Sequence, residues 1–371
     1  MKSLFDGVTE GVKNMKRYQA GKSIEEVKRE FGLDKIVKLA SNENPLGPAP
    51  EVIETIKNEA ENVYLYPDSD SRILKENLSK HYSLPLENIF IGNGSDEILD
   101  LLMTLLLNEG DQIVQGDPSF IKYELAAKSR GGESIKIELD ENHRLQPEKM
   151  LEAITDQTRA IFICNPNNPT GTMLEKKEIE ALLKKVPEEV LFVVDQAYYE
   201  YMTAEEYFDG IELLAQYPNL FLMRTFSKAY GMAGLRVGYG LGNPKLVDYL
   251  NRIRGPFNVN RIAQVAAAAA LEADDHLQKC YQLNKKGKAY LYQQFSELDL
   301  EYIETQSNFM MVDTGIAAEK VFKELQQKGV IIRPGHQFGM ESWIRLTIGT
   351  QAENEFFIEK LKDLLKGEDK L

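Results

Sequence analysis

Thr225-Phe226-Ser227-Lys228-Ala229-Tyr230-Gly231-Met232-Ala233-Gly234-Leu235-Arg236 sets one lysine between two hydroxyls and an arginine. Just before it stands Leu220-Phe221-Leu222-Met223, an apolar run of strand length, so the lysine falls on the loop after a buried strand. Open α/β sheets bind ligands at that end of their strands. A lysine that attacks a carbonyl must be available as the free amine, and partial burial beside a cation such as Arg236 lowers its pKa toward that state. Thr225, Ser227 and Arg236 then read as a grip for a phosphate.

Upstream the same pattern repeats. Ala160-Ile161-Phe162-Ile163-Cys164 stops at Asn165-Pro166-Asn167-Asn168-Pro169-Thr170-Gly171, a loop stiffened by two prolines and a glycine. Val190-Leu191-Phe192-Val193-Val194 is wholly apolar and runs into Asp195. Such runs, separated by helical patterns, indicate a mostly parallel sheet covered by helices on both faces. With right-handed crossovers the carboxyl ends share one edge, so Asn168, Asp195 and Lys228 converge on one cleft. Ile113-Val114 is another strand and leads to Asp117-Pro118-Ser119-Phe120, with Tyr123 shortly after. Ile89-Phe90-Ile91 feeds Gly92-Asn93-Gly94-Ser95-Asp96-Glu97, after which Ile98 opens an apolar helix. Loop amides and the Ser95 hydroxyl at such a helix start make an anion site. The Asp96 and Glu97 carboxylates are expected to point outward and favour the helix dipole.

The 371 residues carry 44 Lys plus Arg against 58 Asp plus Glu, a net charge of -14. A general role on nucleic acid or an anionic membrane is disfavoured. The opening residues hold no apolar core of signal-peptide length, and no stretch approaches the ~18 apolar residues of a membrane helix. Cys164 and Cys280 share no metal-ligand spacing with the four histidines. A cytoplasmic, metal-free protein is expected.

Residues 1–45 read as an amphipathic arm, with a helix from Ser23 to Phe31 and a strand-like Val37-Lys38-Leu39 running into Ala40-Ser41-Asn42-Glu43-Asn44-Pro45, and form part of a smaller domain. Residues 46–253 form the large domain. Past 251–256 the pattern changes to an Ala-rich helix from Arg261, a long helix from about Asp275 to Leu298, and strands at Glu301-Tyr302-Ile303, Asn308–Val312, Val330–Arg333 and Trp343–Gly349. Residues 254–371 are therefore expected to be a small α+β domain.

Pyridoxal phosphate needs a lysine for its aldehyde, an anion cradle, a carboxylate beneath the ring nitrogen and a flat group against the ring. Asp195 can keep the pyridine nitrogen protonated, Tyr198 and Asn168 can contact the ring hydroxyl, and Phe120 can stack. Once displaced, the Lys228 amine can carry the proton between Cα and the cofactor carbon.

Tyr18-Gln19, Asn42-Glu43-Asn44-Pro45, Asn167-Asn168-Pro169-Thr170-Gly171, Thr225-Phe226-Ser227-Lys228 and Ile344-Arg345-Leu346-Thr347-Ile348-Gly349 span nearly the whole chain. In that order they resemble the fold-type I pyridoxal-phosphate aminotransferases of class I/II. The resemblance implies that Lys228 bonds the cofactor aldehyde, that Asp195 is the pyridinium partner, and that Asn168 and Tyr198 contact the ring hydroxyl. It makes Phe120 the ring stacker. Gly94, Ser95, Asp96 (through its backbone amide), Thr225, Ser227 and Arg236 become the phosphate site. It also implies a homodimer in which Tyr66 reaches the neighbouring phosphate, and a substrate side of Tyr18, Asn42, Arg333 and Arg345, with Arg345 a bidentate anion anchor. The implied reaction moves an amino group from L-histidinol phosphate to 2-oxoglutarate. An aromatic amino donor is the nearest rival, with Phe338 and Trp343 able to line a pocket for it, and a lyase or decarboxylase on the same fold is a further one. Three positions depart from the family pattern. Gln196 replaces a glutamate, Phe120 a tyrosine, and Arg17 a proline. Adjacent strand residues face opposite ways, so Gln196 is expected to tune the site rather than take over the ring nitrogen.

Overall fold

The computed structural model describes residues 3–13, 15 and 21–368. In chain order the strands are β1 (Val37–Lys38), β2 (Ile89–Gly92), β3 (Gln112–Asp117), β4 (Glu133–Glu138), β5 (Thr158–Cys164), β6 (Leu191–Asp195), β7 (Leu220–Thr225), β8 (Gly238–Gly242), β9 (Phe309–Asp313), β10 (Val330–Ile331), β11 (Arg333–Pro334) and β12 (Trp343–Thr347). One seven-stranded sheet runs β2-β8-β7-β6-β5-β3-β4, with β8 alone antiparallel to its neighbours. β6 and β7 are buried at every position, which is why they read as apolar runs rather than alternations.

The pleat sorts these runs into two cores. Ile91, Val114, Ile161, Phe192 and Leu222 face one side, where Val52, Leu74 and Ala263 of three helices cover them. Phe90, Ile113, Phe162, Val193 and Phe221 face the other, against Leu99, Tyr123 and Leu250. β4 and β8 carry no apolar run. β4 alternates at the sheet edge, and the glycines of β8 admit the Phe221 ring: a Cβ on Gly240 would lie 2.2 Å from Phe221 Cζ.

The smaller unit has an antiparallel sheet β11-β12-β9 and a parallel pair β1–β10, so the N-terminal arm adds a strand to it. Its core gathers Leu291, Phe295, Val312, Val321, Ile344 and Phe357. The helix Ile24–Phe31 starts at Ser23, whose hydroxyl and the Glu26 carboxylate close a capping box.

Several expectations change. The Ala-rich helix Arg261–Ala270 does not open the small domain: small side chains let it pack closely in the large core, so the passage between units runs along the helix Asp274–Glu297. The helix expected to open at Ile98 begins at Gly94, since a left-handed Gly94 (φ 74°) turns the chain at once. Glu301–Ile303 makes only an isolated bridge, Tyr302 to Val312. Val330–Arg333 is cut at Ile332 into β10 and β11, which pair with different partners. The helix Gln351–Gly367 closes the domain.

Candidate active site

β5, β6 and β7 lie adjacent and parallel, with Cys164 opposite Asp195 and Asp195 opposite Met223. Their carboxyl ends therefore bring Asn168, Asp195 and Lys228 to one cavity of about 190 Å³.

At one end the helix Gly94–Leu106 points its first-turn amides inward, and Ser95, Asp96, Thr225, Ser227 and Arg236 line the wall. Gly94 touches this wall through Arg236 rather than lining it. A Cβ there would sit 2.6 Å from Arg236 Nη2, and one on Gly238 would sit 2.7 Å from the Ser95 nitrogen. Arg236 donates from Nη1 to Ser227 Oγ at 3.3 Å, and from Nη2 to Asp96 Oδ2 at 3.2 Å. The Asp96 carboxylate is thus turned to the arginine instead of outward, because a partly exposed guanidinium lies within reach. Glu97 folds back to accept the Asn93 N–H at 2.6 Å and Asn258 Nδ2 at 2.7 Å.

At the base of the cavity Asp195 is buried. Its Oδ2 accepts the Tyr123 phenol at 2.7 Å and its Oδ1 the Ala197 N–H at 3.2 Å. Burial pushes its pKa up to about 6, against the pull of those two donors. Phe120 lines the wall above. Gln196, one residue on, faces the opposite side of the sheet: Nε2 donates to the carbonyls of Phe208 (2.6 Å) and Asp209 (3.2 Å), and Oε1 accepts from Arg224 Nε at 3.0 Å.

Lys228 Nζ donates to the Ser41 carbonyl at 3.1 Å. Burial first, then the Arg345 cation, lower its pKa to about 8. Arg236, the cation singled out in the sequence, contributes less than Arg345. Tyr198 Oη accepts from Asn42 Nδ2 at 3.0 Å and Asn168 Nδ2 at 3.4 Å. Arg345 orients that second amide by donating to Asn168 Oδ1 at 2.6 Å, and donates also to the Ala40 carbonyl at 2.9 Å. Thr347 fixes Asn42 by accepting its backbone N–H at 2.9 Å and donating to its Oδ1 at 3.2 Å. Arg333, the cross-strand partner of Arg345, and Phe338 complete the lining.

Tyr18 is outside the described residues. Tyr66 does not reach this cavity; it stacks on Phe257 at 4.7 Å within a separate groove flanked by Val63, Tyr64 and Leu65. The structure adds Ser41 and Tyr123. Ser41 contributes through a backbone atom, on which its side-chain identity is silent. Tyr123 lies three residues past Phe120, at the start of the helix Lys122–Ser129, and its nearness in sequence to Phe120 was its only signal.

A family model described as aminotransferase class I and II matches residues 34–361. The chain belongs to this family. Histidinol-phosphate aminotransferase of Moorella thermoacetica is 47% identical to it over 357 residues, 96% of this chain and 92% of the relative. The enzyme of the same name from Caldicellulosiruptor saccharolyticus is 45% identical over 96% of this chain and 99% of its own. Among solved structures, histidinol-phosphate aminotransferase from Sinorhizobium meliloti in complex with pyridoxal-5'-phosphate matches with a TM-score of 0.90 at 27% identity over 99% of both chains. A Thermus thermophilus aspartate aminotransferase double mutant matches at 0.84 and 22% identity over 97% of this chain and 99% of its own, a likeness of fold. This aminotransferase is accordingly a fold-type I, pyridoxal-phosphate-dependent transaminase. Its cleft fits that cofactor: Ser95, Thr225, Ser227 and Arg236 wall a space for a phosphate, close-packed from behind by Gly94 and Gly238, with a buried carboxylate and an amine beyond it. Among the described residues, no helix is long and apolar enough to cross a membrane.

Proposed function

We propose that this aminotransferase moves an amino group between L-histidinol phosphate and 2-oxoglutarate, a step of histidine biosynthesis, in the cytoplasm. The observation that carries the reading is the arginine pair. Arg333 and Arg345 are direct cross-strand partners on β11 and β12, and both line the cavity that holds Lys228. Two cations on one wall of the cavity suit a phosphate or a carboxylate as the group bound there. The donor's phosphate and the acceptor's distal carboxylate can use this anchor in turn. The names of the relatives support the same donor.

Bound in this cleft, pyridoxal phosphate supplies an electron sink conjugated to the substrate nitrogen. The chain's own groups do the rest. The Gly94, Ser95 and Asp96 amides with Thr225, Ser227 and Arg236 would hold the phosphate. Asp195 would hold a proton on the ring nitrogen, and Phe120 would exclude water from the ring face. Tyr198 and Asn168 would contact the ring hydroxyl. The Lys228 amine, its pKa lowered to about 8 by burial and the Arg345 cation, is neutral in a larger fraction of molecules near pH 7 than an ordinary lysine, and would accept and return the substrate's Cα proton.

We infer in addition a homodimer. Val63, Tyr64, Leu65 and Tyr66 form an exposed apolar patch, with Tyr66 79% exposed. A second copy seated there would bring Tyr66 to its neighbour's phosphate.

Steady-state assays pairing 2-oxoglutarate with L-histidinol phosphate, or with aromatic amino acids, test the substrate. Glutamate formed in step with histidinol phosphate consumed is expected. Full turnover of an aromatic donor with none of histidinol phosphate removes the reading, and release of an amine or carbon dioxide without glutamate assigns a lyase instead.

A further inference from the structure

We infer that Tyr123 is a positioning residue of this site, holding the Asp195 carboxylate in the one orientation that addresses the cofactor's ring nitrogen. The inference rests on the assignment of Asp195 made above. Tyr123 lies in the first turn of the helix Lys122–Ser129, fully buried. Its ring stacks on Phe162 of β5 at 4.8 Å and meets Phe120 edge-on at 5.5 Å. These contacts leave the ring little freedom, so the phenol is delivered to Asp195 Oδ2 at 2.7 Å. The other oxygen accepts the Ala197 N–H. A carboxylate tied at both oxygens cannot rotate, and its remaining lone pairs are turned to the cavity it lines. Ordering it in advance spares that cost when the cofactor binds.

The donor also acts on charge. Burial raises the Asp195 pKa, and the Tyr123 hydrogen bond is the first influence opposing that rise. With phenylalanine at 123, one oxygen would stay buried without this donor, and the neutral acid would gain ground. Cys164 stands opposite Asp195 across the β5–β6 register, but its thiol is pushed up to about 12 and donates to the Pro166 carbonyl. It does not replace the phenol. Tyr123 thus supports both Phe120 against the ring and Asp195 at the nitrogen.

The test measures pyridoxal-phosphate Kd by equilibrium dialysis, and kcat and KM for the amino donor, in wild type, Tyr123→Phe, Asp195→Ala and the double variant, with a thermal melt of each cofactor-free protein. Tyr123→Phe is expected to weaken cofactor binding by about tenfold and to lower kcat similarly, with donor KM within about twofold. In the Asp195→Ala background the same change should move Kd by less than about twofold. If Tyr123→Phe binds cofactor and turns over like wild type while Asp195→Ala does not, the inference fails and the assignment of Asp195 stands. Equal weakening with and without Asp195, or a melt lowered enough to account for the Kd, makes the ring a packing group and overturns it. Unchanged cofactor binding in Asp195→Ala removes the assignment of Asp195 and this inference with it.

Discussion

Lys228 meets two opposed demands: its amine must be neutral to react, yet it sits where a charge is poorly solvated. Its pKa in the folded chain is about 8, against an ordinary 10.5. Between those values the unfolded chain keeps a proton that the folded chain has released, so the stability of the cofactor-free protein rises with pH across that window. Below about 8 the full cost of burying the cation is present. Lys228→Met removes this cost and is expected to stabilise the cofactor-free protein by about 2 kcal/mol at pH 7, less than the whole shift implies because the side chain lines an open cavity. The gain should shrink as pH climbs from about 8 toward 10.5. Urea unfolding at pH 7, 8.5 and 10 measures it, and a variant no more stable than wild type at pH 7 would count against the burial argument. The same variant should lose visible absorbance of the bound cofactor and at least ~10²-fold in turnover. The place of Lys228 just past a buried strand was readable from Leu220–Met223 and the motif after it, but its main neighbouring cation was not. Arg345 is 117 positions away in sequence and arrives through β12.

At the scale of elements, the end of β6 and the residue that follows it separate two jobs on the two sides of the sheet. Asp195 turns toward Tyr123 and the cavity, while Gln196 turns away to tie Arg224 of β7 to the segment around Phe208 and Asp209. The guanidinium of Arg224 is fully buried, pressed against the Tyr199 ring at 3.9 Å and over Tyr82 at 5.0 Å, and paired with Asp209. A glutamine suits this place because it can donate to two carbonyls and accept from the arginine at once. Gln196→Glu keeps the contact to Arg224, loses both donations and sets an anion against carbonyl oxygens. The variant is expected to lose about 1–3 kcal/mol of unfolding free energy. Its kcat should stay within about threefold of wild type, because the side chain faces away from the ring nitrogen. Chemical denaturation beside steady-state kinetics checks both halves; a large loss of kcat at unchanged stability would mean that the two sides of the sheet communicate. Strand period alone told which face Gln196 takes. Its partners could not be read, since 208–209 is an irregular segment without a pattern of its own.

At the scale of the whole molecule, the site is assembled from both units and, by our proposal, from two copies of the chain. Arg345 of the small sheet bonds Asn168 of the large domain, and Gln306 Oε1 accepts the Thr203 and Ala204 N–H groups, so the proposed substrate anchor and cofactor pocket are joined across the cleft. If Tyr66 serves the neighbouring site, Lys228→Ala and Tyr66→Ala proteins should each be impaired, and a refolded mixture should regain activity, because the hybrid dimer contains one site with both residues intact. Activity of the mixture no greater than the sum of the separate variants would place Tyr66 in its own subunit's chemistry or in none. By itself the sequence determined the α/β class, the order of the central strands' apolar runs, and the convergence of Asn168, Asp195 and Lys228, because buried parallel strands must be apolar and their carboxyl ends share an edge. It also carried the motifs of the family. Only the tertiary structure decided that the Ala-rich helix belongs to the large core, that Asp96 turns to Arg236, that Ser41 offers its carbonyl to Lys228, and that Tyr123 holds Asp195. These are contacts between residues distant in sequence, several through backbone atoms, and they depend on how packed elements approach one another, which no local periodicity encodes.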